Sequence, residues 1–449
     1  MTTITGALVA LTQRVRYDEL PQSTVAAARR AILDALGCAI AAQGCEPARI
    51  AGRVLPPGGG EATVIGESGG SSVERAVLVN GILVRYLDFM DVYWAKDVCH
   101  PAENVPLALA AVEAANGSGK SLVEAVVAGY EAQLRLAHTL CLGQIGMHHV
   151  SAGGIVGPLV VGKAWGLDAK VLENAAALGG CRQFTLHALA KGKLSMAKAI
   201  GYPWSAMDSL LAVRLAREGY TGPVEFLDWL GEDGPLKGAI DRNGLAHDGG
   251  YLVERVSYKQ FPVQFELQTP VEIAIGLRSR LQAAAARIAA VEIEVPPVTT
   301  KRTADPAKFK PRNRETADHS LPVCVAMALI DGKLTPHQFE TDRWAAPDVA
   351  ALVERTSIVA SEDFAQRYPG GRPARITLRL DDGRTLTDFQ PVPSGDATRP
   401  LDDAALERKF MENAADRVGE RRAADIVACI RHVERLDRIR ELTRLLAAS

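Results

Sequence analysis

The chain has 449 residues, more than one compact core usually takes, and this length favours two domains. Hydrophobic residues make up 47% of the chain and aromatic residues 5%, a composition typical of a helix-rich globular protein. The formal net charge of −2 excludes the global basic field of a nucleic-acid-binding protein, whereas a local basic pocket for a small anion is compatible with it.

Seven cysteines stand singly in the chain, and no C-x-x-C pair occurs among them. This spacing argues against a zinc ribbon, a clustered iron–sulfur site or a disulfide framework, and it fits a reducing compartment. The N-terminal stretch has no basic segment before its apolar run, so no signal peptide is predicted. Because no apolar run is long enough to span a bilayer, we expect a cytoplasmic protein without a membrane partner.

Helical patterns fill the first part of the chain, up to about residue 265. Residues 21–44 begin with Pro and Ser start signals, and residues 73–89 predict a second apolar helix. Residues 107–140 predict two helices around a Gly-rich turn. Residues 151–168 are apolar on all sides and contain several glycines, which predicts a buried helix that neighbouring backbones can approach closely.

The pattern changes after about residue 270. Residues 287–297 alternate with period two, and so do residues 374–389, where Asp-Asp-Gly-Arg predicts a hairpin turn. Helical patterns lie between these strands, over residues 317–332 and 348–356. This mixture predicts a small α/β domain.

Residues 400–449 are helical again and end in an amphipathic stretch with a basic outer face. The predicted fold is therefore mostly α with an α+β second domain. A large all-helical domain takes residues 1–268 and 397–449, and a smaller α/β lid domain, residues 269–396, is inserted before the C-terminal helices.

The densest cluster of reactive side chains is "YLDFMDVYWAKDVCHPAEN", residues 86–104. Asp88 and Asp91 are three residues apart and would share one face at a helix end. His100 precedes a proline that restricts the chain beyond it. Either these residues form a site, or the aspartates cap a helix and the histidine bonds a backbone carbonyl. Polar groups beside apolar helices need partners or a function, so the cluster as a whole favours a site.

Two further segments carry candidate proton carriers. His148 and His149 precede the predicted buried helix, whose N-terminus would lower the pKa of a nearby imidazole and keep it neutral. Since adjacent side chains usually point in different directions, at most one of the pair is expected to act. Lys198 lies between two alanines, a setting for a partly buried amine that binds a carboxylate or, with a lowered pKa, transfers a proton, unless it reaches solvent.

The junction between the two patterns is polar. Lys259, Gln264 and Gln268 lie where the helical region ends, and domain junctions are favoured positions for ligand pockets. His319 precedes another apolar helix. Either His319 belongs to a site, or this stretch is structural and the neighbouring aspartate or serine caps the helix.

Five ordered motifs span nearly the whole chain: NGILVRYLDFMD…CHPAEN, KLSMAKAIGYPWSA…AREGYTGP, KQFPVQFELQTPVEIAI, RETADHSLPVCVAMALIDG and PLDDAALERKF. In these motifs the sequence resembles the MmgE/PrpD family, which includes 2-methylcitrate dehydratase, cis-aconitate decarboxylase and iminodisuccinate epimerase. The resemblance implies a cleft between a large helical domain and a smaller lid, usually a homodimer, and neither a metal nor an organic cofactor.

The resemblance also implies roles for individual residues. The expected catalytic residues are Asp88, His100, His148 and Lys198. The expected substrate-binding residues are Asp91, His149, Lys259, Gln264, Gln268 and His319.

Three positions depart from the family pattern. Val92 replaces a common threonine, Gln268 stands at a candidate position for a usual histidine, and Val323 replaces the tyrosine of decarboxylase members. A glutamine amide cannot supply the proton that a histidine can. These departures argue against a specific family substrate, and most strongly against cis-aconitate decarboxylation.

The function expected from the resemblance is that of a cofactor-independent hydro-lyase of the 2-methylcitrate dehydratase type, acting on a small di- or tricarboxylate. His148 would be the base or the acid, His100 the complementary acid, and Lys198 a carboxylate ligand or proton donor. Closure of the lid would exclude water. Two alternatives stay open: an epimerase or decarboxylase of a related polycarboxylate, and a non-catalytic binding protein of the same fold.

Overall fold

The computed structural model describes residues 2–247, 249–281, 288–368 and 370–448. Among these residues, no helix has both the length and the apolar character needed to cross a membrane. The α-helices are α1 (Ile4–Arg14), α2 (Gln22–Ala41), α3 (Glu46–Val54), α4 (Val73–Tyr86), α5 (Asn104–Ala114), α6 (Gly119–Thr139), α7 (Gly153–Ala164), α8 (Ala169–Gly180), α9 (Ala197–Arg217), α10 (Phe226–Glu232), α11 (Gln268–Arg280), α12 (Pro297–Thr303), α13 (Pro306–Phe309), α14 (Arg314–Ala317), α15 (Leu321–Asp331), α16 (Pro336–Glu340), α17 (Pro347–Val353), α18 (Glu362–Ala365), α19 (Asp403–Val418), α20 (Glu420–Arg431) and α21 (Arg440–Leu446). The strands are β1 (Tyr93–Trp94), β2 (Val98–Cys99), β3 (Ile288–Val295), β4 (Thr356–Ala360), β5 (Ala374–Leu380) and β6 (Thr385–Gln390).

Buried apolar side chains form two separate cores. The helical core takes its residues from positions 4–258 and 401–446, so both ends of the chain contribute to it. Helix α19 packs along α2 and carries the C-terminal segment back onto this core. The sheet core takes its residues from positions 263–380. It includes Leu267, which the sequence division had assigned to the helical part.

The sheet core contains a four-stranded sheet in the order β4-β3-β5-β6. Strand β3 pairs parallel with β4 and antiparallel with β5, and β5 pairs antiparallel with β6. The strands predicted from alternation and the hairpin over residues 374–389 are confirmed. The sequence did not predict β4, because this edge strand has no fully buried residue and therefore lacks a clear apolar alternation.

A small ribbon interrupts the part of the chain predicted to be all-helical. Strands β1 and β2 pair antiparallel within the segment 86–104. The ribbon places aromatic and β-branched residues, which favour strands, on either side of a short turn. Next to it, the backbone of Val92 exchanges two hydrogen bonds of 2.9 Å with Ser257, which ties this segment to the junction between the two cores.

Helix α7 confirms the predicted buried helix, since every residue from Gly153 to Gly162 is buried. Pro158 lies inside the helix and has no N–H, so the carbonyl of Gly154 lacks its helical donor. Gly179 of α8 packs against that carbonyl so closely that a Cβ atom at position 179 would overlap the oxygen. The two backbones therefore meet where neither residue carries a side chain.

Two Gly→Ala substitutions, one at this contact and one at an open position in another helix, should change stability in opposite directions. Gly179→Ala should lower the free energy of unfolding by about 2 kcal/mol, because backbone must move to admit the methyl group. Gly276→Ala in α11 should raise it by about 0.5–1 kcal/mol, because the added Cβ meets no atom within 4 Å and the unfolded chain loses freedom. Urea unfolding of both variants measures the difference, and shifts of the same sign would contradict this packing.

Candidate active site

A cavity of about 320 Å³ is lined by residues from both parts of the chain. Five of the nine histidines of the chain line it: His100, His148, His149, His187 and His319. Seven basic side chains line it as well, against two aspartates, Asp88 and Asp305. The basic residues are Arg85, Lys191, Lys198, Lys259, Lys301, Arg302 and Lys308. A chain with a net charge of −2 thus presents a strongly positive cavity, which suits an anionic ligand.

The carboxylate of Asp88 contacts three buried basic side chains of the site. It follows α4 with φ of 50°, in the left-handed region, which Asp tolerates better than most residues. Its carboxylate lies 3.0 Å from Lys198 Nζ and 3.3 Å from Arg85 Nη1, and it accepts a hydrogen bond from Lys259. Burial alone would raise the pKa of Asp88, but the charges of Lys198, Lys259 and Arg85 outweigh it and hold the pKa well below its usual range.

Lys198 bridges two carboxylates. It belongs to the first turn of α9, and its Nζ lies 3.0 Å from Asp88 and 3.3 Å from both carboxylate oxygens of Asp318. Asp88, Asp318 and His319 offer ligand atoms within 4.8 Å of one another, a spacing that could hold a metal ion. The ammonium of Lys198 contacts all three residues, so the chain itself supplies a positive charge at this point.

His319 is oriented by its neighbour. Its Nδ1 lies 2.5 Å from Asp318 Oδ1, and because a carboxylate only accepts, the ring proton belongs on Nδ1. Burial and the charge of Lys198 lower the pKa of His319, against the opposing effect of Asp318 and Asp88. The ring is therefore neutral near pH 7, and its Nε2 lies 3.4 Å from a carboxylate oxygen of Asp88. Ser320 caps α15 by accepting the N–H of Val323.

His100 is fixed in the same tautomer by a backbone group. Its Nδ1 lies 2.7 Å from the carbonyl oxygen of Asp91, which can only accept, so Nδ1 carries the proton and Nε2 does not. Burial, together with the charges of Arg85 and Lys259, holds the pKa of His100 well below its usual range. His100 thus combines a neutral ring with an available proton-accepting nitrogen.

Asp91 lies behind His100 and is not part of the cavity wall. Its carboxylate accepts the N–H of Ala102 at 2.9 Å and the hydroxyl of Tyr130 at 2.7 Å. Burial raises the pKa of Asp91 to about 7. The two aspartates do not share one face as expected, because α4 ends at Tyr86 and the left-handed conformation of Asp88 turns the chain.

His148 and His149 lie side by side rather than pointing apart. Their ring centroids are 4.1 Å apart, and both rings line the cavity. His148 Nδ1 accepts the N–H of Val150 at 3.4 Å, which places its proton on Nε2. Burial, reinforced by the charges of Arg85, His187 and other neighbours, lowers the pKa of His148 to about 3. The pKa of His148 is therefore lowered mainly by burial, whereas the sequence predicts a lowering by the helix N-terminus.

The two remaining residues expected to bind substrate differ in position. Gln264 lines the cavity, and its amide oxygen caps a short turn by accepting the N–H of Glu266 at 2.9 Å. Gln268 does not line the cavity, because its side chain bonds backbone groups of the loop before it, including the N–H of Phe261 at 3.1 Å. Of the three departures from the family pattern, Val92 alone belongs to the cavity wall, while Val323 is buried in the sheet core.

Sequence reasoning missed several residues of the cavity wall, among them His187, Arg85 and the basic residues Lys301, Arg302 and Lys308. His187 lies 5.6 Å from the His148 ring, in a segment without regular pattern, and no signal in the sequence distinguishes it. Arg85 is a buried charge near the end of the apolar helix α4. That position was a usable signal, because a charge on an apolar helix requires a partner.

The match to family models covers most of the chain. The model of the MmgE/PrpD N-terminal domain matches residues 6–245, and the model of the MmgE/PrpD C-terminal domain matches residues 261–434. The chain belongs to the MmgE/PrpD family. The C-terminal model extends over α19 and α20, although these helices pack on the helical core.

Similar proteins in this family include dehydratases and a decarboxylase. The chain is 28% identical over 448 residues to 2-methylcitrate dehydratase of Escherichia coli K12, with 90% of this chain and 87% of that protein covered. It is 27% identical to 2-methylcitrate dehydratase of Cupriavidus necator, over 94% of this chain and 92% of that protein. Human cis-aconitate decarboxylase is 24% identical, over 83% of this chain and 79% of that protein. These matches support an enzyme of the lyase class.

Glu103 is a buried acid behind the site. Its Oε1 lies 3.3 Å from Arg85 Nε. Burial raises the pKa of Glu103 to about 8, although the charge of Arg85 opposes this shift. In the unfolded chain the same group ionises near its ordinary pKa of 4.5. Glu103 therefore stabilises the fold fully below pH 4.5, and this contribution is lost as the pH rises through about 8.

This shift predicts the pH dependence of one substitution. Glu103→Gln replaces the neutral acid by a neutral amide, so its stability relative to the natural chain should increase between about pH 5 and 8, by up to about 1.4 kcal/mol per pH unit. Urea unfolding at several pH values measures the difference. The exposed loop residue Glu61, changed to Gln, is the control and should show no such trend. Parallel stability curves for Glu103→Gln and the natural chain would contradict the raised pKa.

Proposed function

We propose that this chain is a hydro-lyase of the 2-methylcitrate dehydratase type, which removes water from a small di- or tricarboxylate. The observation that carries the proposal is the combination, in one cavity, of seven basic side chains and a set of neutral, buried imidazoles. Carboxylates need cations, and abstraction of a proton next to a carboxylate needs an unprotonated base.

His100 is the base in this mechanism. Its Nε2 takes the proton from the carbon next to a carboxylate, while the carbonyl of Asp91 holds the opposite side of the ring. The sequence had suggested His100 as the acid, but the hydrogen bond from Nδ1 to a carbonyl favours the reverse role. Asp91 then acts as a positioning residue rather than as a substrate ligand.

Lys198 is the acid. As the C–H bond breaks and a carbon–carbon double bond forms, the C–O bond breaks and the Lys198 ammonium protonates the departing hydroxyl, which leaves as water. Asp88 and Asp318, within 3.3 Å of Nζ, hold the ammonium in place. The proton accepted by His100 returns to Lys198 through solvent after product release. Acid, base and charge neutralisation all come from side chains, so the mechanism calls for no cofactor.

The substrate carboxylates bind to the basic side chains and to the Nε2–H of His148. Three of these basic residues, Lys301, Arg302 and Lys308, belong to α12 and α13 of the inserted part. We propose that this part is a lid, which brings these charges to the substrate and excludes water as it closes. The guanidinium of Arg372 lies 4.4 Å from the ring of Trp94, and opening of the lid would break this contact.

The direct test is turnover by the purified protein. We expect incubation with 2-methylcitrate, citrate, cis-aconitate and iminodisuccinate in deuterium oxide, followed by proton NMR, to show loss of water from a tricarboxylate: the methyl doublet of 2-methylcitrate becomes a singlet, or a new alkene proton appears from citrate. Deuterium uptake without loss of water would favour an epimerase, and loss of carbon dioxide a decarboxylase. No reaction and no deuterium uptake with any of the four compounds would refute the proposed substrate class.

Variants of two lysines test the mechanism. Lys198→Met should lower kcat by about 10²-fold or more, because the leaving hydroxyl loses its acid. The exposed neighbour Lys193, changed to Met, is the matched control and should keep full activity, since it does not line the cavity. Activity that survives Lys198→Met would remove Lys198 from the mechanism.

We also propose that the chain forms a homodimer through α9. This helix packs on α4, α7 and α8, yet three large apolar side chains are exposed on its outer side. Trp204 and Leu211 are 55% and 58% exposed, and Leu215 lies one turn further along the same face. A second copy of the chain is the partner we infer, because the homodimer implied by the family resemblance would cover such a face.

Light scattering of the purified protein tests this proposal. The natural chain should have the mass of a dimer, and Leu211→Glu should have the mass of a monomer, because a charge in an apolar interface is costly. Val54→Glu is the control at an exposed apolar residue elsewhere, on α3, and should leave the dimer intact. A monomeric natural chain, or a dimeric Leu211→Glu variant, would contradict the interface.

A further inference from the structure

Arg302 differs from the buried lysines of the cavity in how its hydrogen-bond donors are used. Lys198 contacts Asp88 and Asp318, and Lys259 donates to both the carbonyl and the carboxylate of Asp88. These buried ammonium groups are therefore already engaged with groups of the protein. Arg302 lines the same cavity from the inserted part, and its side chain is 43% exposed.

One nitrogen of the Arg302 guanidinium makes all of its hydrogen bonds to the residues that the structure describes. Nη1 donates to Glu266 Oε1 at 2.6 Å and to the hydroxyl of Tyr368 at 3.1 Å. Nε and Nη2 have no hydrogen-bond partner among the same residues. In the planar guanidinium the Nε–Nη2 edge lies opposite Nη1, and its two N–H groups are parallel. This edge is therefore turned away from Glu266 and is open to a ligand.

Glu266 anchors the guanidinium of Arg302. The side chain of Glu266 is 0% exposed, and both of its oxygens are bonded, Oε1 to Arg302 and Oε2 to the amide of Gln264. Gln264 in turn accepts the backbone N–H of Glu266 at 2.9 Å. A buried carboxylate is costly to leave without a cation, so Glu266 keeps the Nη1 side of the guanidinium in place.

Aromatic rings restrict the guanidinium further. The centre of the Trp94 ring lies 5.5 Å from the guanidinium carbon of Arg302, within the range of a cation–π contact. The rings of Trp94 and Tyr368 meet edge to face with their centroids 5.8 Å apart, and Arg372 lies over both rings. Trp94 belongs to the ribbon of β1 and β2, whereas Arg302 belongs to α12. The complete arrangement therefore requires the inserted part to lie on the ribbon.

We propose that Arg302 orients the substrate by binding both oxygens of one substrate carboxylate through its Nε–H and Nη2–H groups. Two parallel N–H groups match the two oxygens of a carboxylate, and such a pair fixes the direction of the ligand as well as its affinity. A lysine is a point charge and cannot fix that direction. Glu266 and Tyr368 are positioning residues that act through Arg302. That the bound carboxylate belongs to a substrate rests on the proposed function, whereas the binding of a carboxylate at this edge does not.

Tricarballylate measures this binding without turnover, because it is a tricarboxylate with no hydroxyl group to lose as water. In isothermal titration calorimetry of the full chain, Arg302→Gln should raise the Kd of tricarballylate about 10–100-fold. Arg302→Lys keeps a cation beside Glu266 but loses the parallel N–H groups, so it should restore only a small part of the affinity.

Arg312→Gln is the matched control for this titration. Arg312 is an exposed arginine of the same inserted part and does not line the cavity, so its variant should bind tricarballylate as the natural chain does. Three results would overturn the proposal: natural affinity in Arg302→Gln, natural affinity in Arg302→Lys, or no binding by the natural chain. The lysine variant keeps the test valid if loss of the cation beside Glu266 prevents Arg302→Gln from folding.

A double-mutant cycle tests the positioning role of Tyr368. Tyr368→Phe keeps the ring beside Trp94 and removes one hydrogen bond to Nη1, so the Kd of tricarballylate should rise about 3-fold. In an Arg302→Gln background the same substitution should have no effect, because Tyr368 acts only through the guanidinium. Equal effects in both backgrounds would overturn this role. Turnover by the natural chain, together with unchanged tricarballylate affinity in Arg302→Gln, would refute the binding role of Arg302 and leave the proposed function intact.

Discussion

The carboxylate of Asp88 is the contact on which the rest of the site depends. Arg85, Lys198 and Lys259 come from α4, from α9 and from the junction between the cores, and all three are buried. Three buried cations this close would repel one another and would each lack the hydration they have in water. Asp88 compensates these charges at a single point. It thereby joins three distant segments of the chain into one wall, and the histidines are arranged around that wall.

Asp88 and Asp318 neutralise only part of the positive charge around the cavity. The remaining positive charge affects the histidines. Burial first, and the surrounding cations second, lower the pKa values of His100 and His148, which keeps both rings neutral. A polycarboxylate that enters the cavity brings the missing negative charge. It therefore makes a protonated imidazole less costly at the moment when a base must accept a proton. In the proposed mechanism, the same field that attracts the substrate also prepares the bases for use.

Local patterns predicted much of the fold, and long-range contacts account for what they missed. The buried helix α7 and the hairpin of β5 and β6 follow from apolar periodicity and turn residues, which are properties of short segments. Strand β4 was not predicted, because it is an edge strand whose apolar and polar residues alternate only weakly. In the site, the motif residues point to the cavity wall in most cases, but Asp91 and Gln268 bond groups inside the protein instead. Their partners are tertiary contacts or loop backbone, which residue spacing does not reveal.

The roles of the histidines were beyond sequence reasoning for a further reason. His100, His148 and His319 carry the same side chain, yet each Nδ1 meets a different group: a carbonyl, a backbone N–H and a carboxylate. A carbonyl or a carboxylate keeps the ring proton on Nδ1 and leaves Nε2 as an acceptor, whereas an N–H leaves Nε2 as a donor. In the proposed mechanism, the neighbours behind each ring thus decide which histidine acts as acid and which as base. A change of loop conformation alone could exchange the two roles without altering any histidine.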